Sequence, residues 1–146
     1  MDERGKGNGI VTIERCSDSD TEKLACLNKQ LIEDEKSDNA MDIGELADRM
    51  RHFLETDYEA YFFKVDGEVI GYALVNVSVS PVYLRQFLID RKVRRNRYGQ
   101  TAFGLLTKTL KTESMDVEVL SWNEAGRKFW ESLGFVERSR YLRLSK

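Results

Sequence analysis

Histidine occurs once in this 146-residue chain, at His52, and proline once, at Pro81. One histidine excludes a multi-histidine metal site and leaves almost no room for a serine–histidine–aspartate arrangement. The two cysteines, Cys16 and Cys26, fall in a predicted strand and a predicted helix without metal-ligand spacing, and read as reduced thiols. There is no Cys-x-x-Cys and no acidic loop of metal-binding spacing, so no metal is expected. No apolar run approaches the ~20 residues of a membrane span. The opening MDERGKGNG lacks the apolar core of a signal peptide, so a cytoplasmic protein without a membrane partner is expected. An excess of one charge is also missing. The net charge is −2, which argues against nucleic acid as a partner.

What is present suits an ordinary globular protein, with 41% hydrophobic and 33% charged residues. Residues 1–8 read as a flexible tail and 9–146 as one domain. Ile10 to Arg15 predicts a strand. Leu24, Leu27, Leu31 and Ile32 predict a helix reaching about Glu35. After the polar break at Lys36 to Ala40, Asp42 caps a second helix whose apolar face carries Ile43, Leu46, Ala47, Met50, Phe53 and Leu54. The period then changes. Tyr58 to Val65 and Glu68 to Val77 predict a hairpin joined by Asp66-Gly67. Val82 to Ile89 is a further strand, Gly99 to Lys111 a helix, Asp116 to Leu120 a strand, and Asn123 to Leu133 a helix ended by Gly134. Phe135 to Leu144 predicts one or two closing strands. The order implies an α/β fold with a mixed, mostly antiparallel sheet of six to seven strands and helices on both faces.

The stretch RRNRYGQTAFGLL, Arg94 to Leu106, places a run of cations directly before a helix. A helix N-terminus offers backbone N–H groups without intrahelical partners and a favourable dipole, and is therefore a natural anion site. Consecutive loop amides can form a concave nest for a diphosphate. Here the loop also carries Arg91, Lys92, Arg94, Arg95 and Arg97. By itself such a run is as readily a solvated surface loop.

Three further stretches add context: YLRQFLID before the loop, NEAGRKFWESLGF after it, and LNKQLIEDE with RMRHFLE near the start. Together they resemble the GNAT superfamily of N-acetyltransferases, in particular a bacterial branch, over about Ile10 to Leu144. Arg94 and Gly99 match the family's pattern of Gln or Arg, two residues, Gly, one residue, Gly or Ala. The resemblance implies acetyl-CoA as co-substrate, bound between two splayed parallel strands, Val82–Ile89 and Asp116–Leu120. It implies that the backbone of Phe87 and Ile89 holds the cofactor arm and that an amide near Leu88 polarises the thioester carbonyl. The amides of Arg94, Arg95, Asn96, Arg97, Tyr98, Gly99 and Gln100 would hold the pyrophosphate, and Asn123 would touch the arm. It also makes a homodimer plausible.

Two positions depart from the family. Its first loop glycine is Arg97 here, which must use an ordinary backbone conformation or accept strain. Its usual tyrosine, which can protonate the departing thiolate, is Trp130; an indole N–H is no useful acid, and a core position is the plainer reading.

Attack on a thioester needs a neutral amine, so a base is sought among carboxylates. Glu33, Asp34 and Glu35 end the first helix, against the dipole, as either a solvated helix end or a site for a cationic acceptor. Glu118, in mid-strand, would face the cleft or pair with Arg85. Tyr83 and Tyr61 are possible cleft walls, and His52 a surface residue. The resulting expectation is an acetyltransferase acting on a small-molecule or peptidyl primary amine by direct attack in a ternary complex. The alternatives are a catalytically silent acyl-CoA sensor and a nucleic-acid binder.

Overall fold

The structure is a computed structural model that describes residues 9–94 and 96–146. The expected tail at residues 1–8, and Arg95, lie outside the described residues. Strand β1 (Val11–Arg15) leads through a 3₁₀ turn at Asp18–Asp20 into helix α1 (Thr21–Asp34) and then α2 (Ile43–Glu55). Helix α2 starts where the sequence signals it. The Asp42 side chain accepts from the Glu45 N–H at 2.8 Å, and the Glu45 side chain accepts from the Asp42 N–H at 2.9 Å. This reciprocal pair satisfies two otherwise orphaned donors.

Strands β2 (Tyr58–Val65) and β3 (Glu68–Asn76) form the predicted hairpin. Asp66 and Gly67 both take positive φ, 53° and 81°, as the tight turn requires. Strand β4 (Val82–Ile89), helix α3 (Tyr98–Leu110), strand β5 (Met115–Val117) and helix α4 (Glu124–Ser132) complete the described elements. The sheet order is β1-β2-β3-β4-β5, antiparallel except for the parallel β4–β5 pair.

The mixed α/β sheet is as expected, but five strands are present among the described residues rather than six or seven. Residues 135–146 form no strand, and Val136, Tyr141, Leu142 and Leu144 are 81%, 82%, 87% and 83% exposed. A β-rich sequence becomes a strand only on a ladder. The edge strand this one would need, β5, is three residues long.

The sheet separates two cores. On one face Leu24, Leu27 and Leu31 of α1 and Met50 of α2 pack against Phe62, Tyr72, Leu74 and Leu88. On the other, Tyr98, Ala102 and Leu106 of α3 pack against Tyr61, Phe63, Ala73, Val75 and Leu84. Each fully buried large side chain contributes about 1.5–3 kcal/mol relative to exposure.

One irregularity positions the site. Leu74 pairs with Gln86, but Val75 pairs with Leu84, so Arg85 is an extra residue on β4. A bulge bends its strand and shifts the alternation of side chains. Before it, Leu84 faces α3; after it, Gln86 and Leu88 lie on the α1 side while Phe87 and Ile89 lie on the α3 side.

Two measurements check this packing. Burial, with the Asp20 and Glu14 charges beside it, pushes the Cys16 thiol up to about 12, whereas Cys26 is exposed. Iodoacetamide at pH 8 should therefore alkylate Cys26 alone, with Cys16 reacting only after denaturation, read by peptide mass. Asp42→Ala should cost ~1 kcal/mol in urea unfolding through loss of the cap.

Candidate functional site

Strands β4 and β5 part company at the bulge. Val82, Tyr83 and Leu84 pair with Met115, Asp116 and Val117, and no pairing follows. Strand β4 runs on to Ile89 with β3 on one side and an open gap on the other. Its backbone orientation follows from two contacts. The Asp90 N–H donates to the Ile70 carbonyl at 2.7 Å, and the Leu88 carbonyl lies so close to Gly71 that a Cβ there would overlap it. Alternate residues of a strand aim their N–H and C=O to the same side. Leu88 therefore faces β3, and it is Phe87 and Ile89 that face the gap. The Leu88 amide itself is turned to β3, so an amide near Leu88 that faces the gap belongs to Phe87 or Ile89.

At the end of the gap the chain turns into α3. Asp90 is buried and its carboxylate accepts from the Lys92 N–H at 3.0 Å, opening a 3₁₀ turn at Arg91–Val93. Asn96 Nδ2 donates to the Val93 carbonyl at 2.9 Å, so this side chain shapes the loop. Arg97 precedes α3 with φ 61° and ψ 20°, in the left-handed region. A cavity of about 420 Å³ lies here, lined by Ile89, Arg94, Arg97, Tyr98, Gly99, Gln100 and Phe129. A Cβ at Gly99 would lie 3.1 Å from the Phe129 ring, so the missing side chain lets α4 close over the first turn of α3.

Helix α1 is fastened to this loop. Arg94 donates through Nε to the Ile89 carbonyl at 2.8 Å and pairs with Asp34 through Nη2. Arg91 reaches Glu33 and Asp34, each at 3.2 Å, and its backbone N–H donates to Gln30 Oε1 at 2.8 Å. Glu33 and Asp34 thus sit beside the arginine loop, where the cations offset acids that oppose the α1 dipole. No carboxylate pairs with Arg97 among the described residues, and its guanidinium lines the cavity.

The remaining candidates separate. Glu118 is not in mid-strand: it follows the end of β5, is exposed, and accepts a hydrogen bond from Tyr83 Oη at 2.7 Å. Burial first, and Glu118 second, push the Tyr83 phenol above its ordinary range. Arg85 goes elsewhere, over the Phe53 ring at 4.9 Å. Tyr83 therefore stands at the mouth of the gap, whereas Tyr61 is core beside β1 and His52 is exposed on α2. Asn123 caps α4, its Oδ1 accepting from the Gly126 N–H at 3.0 Å. Trp130 is the hub of an aromatic cluster, with ring centroids 5.4 Å from Phe87, 5.7 Å from Phe103, 4.9 Å from Phe129 and 5.2 Å from Phe135.

A strand gap that ends on a cationic helix N-terminus is the arrangement the sequence resemblance implied. The family model described as "Acetyltransferase (GNAT) family" matches residues 25–135. The chain belongs to the GNAT acetyltransferase family. No curated protein matches the sequence. Among solved structures, a possible acetyltransferase from Clostridium difficile 630 superposes with a TM-score of 0.75 at 16% identity, over 94% of this chain and 97% of that one. Ribosomal-protein-alanine N-acetyltransferase from Brucella melitensis biovar Abortus 2308 gives 0.73 at 16% identity, over 93% and 100%. Aminoglycoside N-acetyltransferase AAC(6')-Iy in complex with CoA gives 0.70 at 19% identity, over 100% and 99%. At these identities the structures establish the fold.

Within the GNAT frame, sequence reasoning overlooked three features. Phe129 is visible in the sequence only as one more apolar helix position. The Tyr83–Glu118 pair joins residues 35 positions apart. The third is the separate fate of Glu35, which stands apart from Glu33 and Asp34.

Arg97 accepts the left-handed conformation that the family assigns to glycine. Releasing about 1–3 kcal/mol of backbone strain against about 0.5–1 kcal/mol of added chain entropy, Arg97→Gly should raise stability in urea unfolding. Arg97→Ala, which keeps the strain, should not.

Proposed function

We propose that this chain is an N-acetyltransferase that moves an acetyl group from acetyl-CoA to a primary amine by direct attack in a ternary complex. The observation that carries the reading is the β4–β5 gap ending on the α3 N-terminus. Unpaired strand groups can accept a peptide-like arm as a pseudo-strand. Phe87 and Ile89 present such groups, although Arg94 already occupies part of the Ile89 carbonyl. The first turn of α3, with Arg97 and Arg94 beside it, suits a diphosphate. Acetyl-CoA has both parts in one molecule, and the AAC(6')-Iy structure was solved with CoA. When bound, the thioester supplies an acyl carbon with a thiolate as its leaving group. A gap-facing amide of Phe87 is placed to stabilise charge on the acyl oxygen, as oxyanion donors do elsewhere.

In this reading Arg94, Arg97 and the backbone of residues 95–100 hold the pyrophosphate, Glu33 and Asp34 hold the arginines, and Asn123 orders the start of α4. Tyr83, hydrogen-bonded to Glu118, stands at the mouth of the gap where a leaving thiolate needs a proton. Its phenol makes it the better candidate than Trp130, whose ring is committed to packing. The acceptor side favours a small-molecule or peptidyl amine.

A second reading is favoured by one observation. Trp130 fills the position of the family's acid as an aromatic hub, which suits a silent acyl-CoA sensor.

Isothermal titration with acetyl-CoA, with desulfo-CoA and ATP as controls, tests cofactor binding. Saturable micromolar binding is expected, weakened at least ~10-fold by Arg97→Ala through loss of a charge-assisted contact and abolished by Gly99→Trp. Thiol release over an amine panel then separates enzyme from sensor. An absence of binding by the wild type would overturn both readings.

A further inference from the structure

After Leu106 the chain buries nothing completely. From Thr107 to Lys146 every residue keeps part of its surface in water, although the stretch includes Phe129, Trp130, Phe135 and Tyr141. Helix α4 has the apolar face of a core helix, yet Phe129, Trp130 and Leu133 are only half-buried. The closing segment is barer still, with Val136, Tyr141, Leu142 and Leu144 almost wholly exposed. A lone soluble protein rarely leaves so much contiguous apolar surface in water, and such surface marks an interaction site.

The closing segment is a strand without a ladder. Residues 135–146 read FVERSRYLRLSK. At a period of two, Leu142 and Leu144 share one face, and Phe135 and Tyr141 the other. Phe135 is anchored against Phe103 and Trp130. Beyond it the segment joins no ladder among the described residues. Arg143 reaches Asp38 at 4.0 Å, but both groups are exposed and the pair holds little.

The sheet offers the matching edge. Strand β5 is its last strand and pairs with β4 alone. Its outer side therefore presents N–H and C=O groups able to take another strand. Trp122, just past this edge, is fixed by donating through Nε1 to the Glu35 carbonyl at 2.9 Å. The charges are complementary. Residues 113–120 carry Glu113, Asp116 and Glu118 and no cation, whereas residues 135–146 carry Arg138, Arg140, Arg143 and Lys146 against Glu137. Glu113 and Asp116 are exposed.

We propose that this chain works as a two-fold dimer in which residues 135–146 of each copy add to the outer edge of β5 in the other, and that the added strand extends β5 past Val117 as the far wall of the gap. The chain's own segment lies off that edge, so the occupant of matching pattern and charge is the same segment of a second copy. Exchange of identical segments closes on a two-fold axis, each copy giving one strand and receiving one. Main-chain bonds supply the affinity of such a strand addition and side chains its selectivity. Residues 113–146 of each copy are enough for a standard interface, which takes about 20–30 residues a side. The sixth strand expected from the sequence is then supplied by the partner. At the gap, β5 follows β4 only to Val117, and residues 118–120 continue without a ladder. A strand on their outer side would hold them across from Phe87. The exchange is independent of the acetyl-transfer reading; its effect on cofactor binding rests on that reading.

Charge reversal tests the exchange without knowledge of its register. One variant, Arg138→Glu with Arg140→Glu and Arg143→Glu, has an acidic segment and an acidic edge. The other, Glu113→Lys with Asp116→Lys, has a basic segment and a basic edge. Each repels its own copy, but in a mixture both segments meet an edge of opposite charge. All five side chains are exposed, so circular dichroism and melting should match the wild type. The readouts are mass by light scattering and amide hydrogen exchange. The wild type is expected at twice the mass of the chain, each variant alone as a monomer, and the equal mixture as a dimer. Amides of residues 136–144 should exchange ~100-fold or more slowly in the wild type and the mixture than in either variant alone. Acetyl-CoA affinity by titration should fall at least ~10-fold in each variant alone and return in the mixture. A monomeric wild type, a dimer whose 136–144 amides exchange freely, variants that dimerise alone, or a mixture that fails to pair each overturns the exchange. Equal acetyl-CoA affinity in monomer and dimer overturns the completed wall. Failure of the wild type to bind acetyl-CoA overturns the acetyl-transfer reading, while mass and hydrogen exchange still decide the strand exchange.

Discussion

The extra residue on β4 is the constraint from which the site follows. With Arg85 unpaired, β4 bends away just where β5 stops following it. A regular strand at this point would keep its parallel ladder, and the groups of Phe87 and Ile89 would be spent on β5. The bulge keeps them off β5, with the Ile89 carbonyl taken in part by Arg94, and also swaps the faces of the strand. It sends Phe87 into the α3–α4 aromatic cluster and Gln86 under α1. The cation–π contact of Arg85 with Phe53, at 4.9 Å, ties the bulged residue to α2 and helps to hold it there.

The second constraint is electrostatic. A loop of cations at a helix N-terminus would repel itself in the absence of an anion. Helix α1 answers with Glu33 and Asp34, whose ion pairs with Arg91 and Arg94 are partly exposed and hence individually weak. Weak pairs suit a site that must exchange partners. In the proposed site a phosphate would take Arg94 without breaking a buried, costly bond, while Arg97 pairs with no carboxylate among the described residues.

Local features were legible in the sequence because their causes are local. The Asp66-Gly67 turn, the Asp42 cap and the periodic faces of α1, α2 and α3 depend on residues a few positions apart. The arginine run pointed to the proposed cradle because it is a continuous stretch that ends on the α3 N-terminus. The bulge at Arg85 left no mark, since no glycine or proline announces it. The residues around Glu118 favour strand, yet β5 ends at Val117, where its partner strand turns away. The fates of Glu33, Asp34 and Glu35 were equally hidden. They depend on Arg91, Arg94 and Trp122, 58 to 87 positions along the chain, and three adjacent acids look alike until those partners are in place.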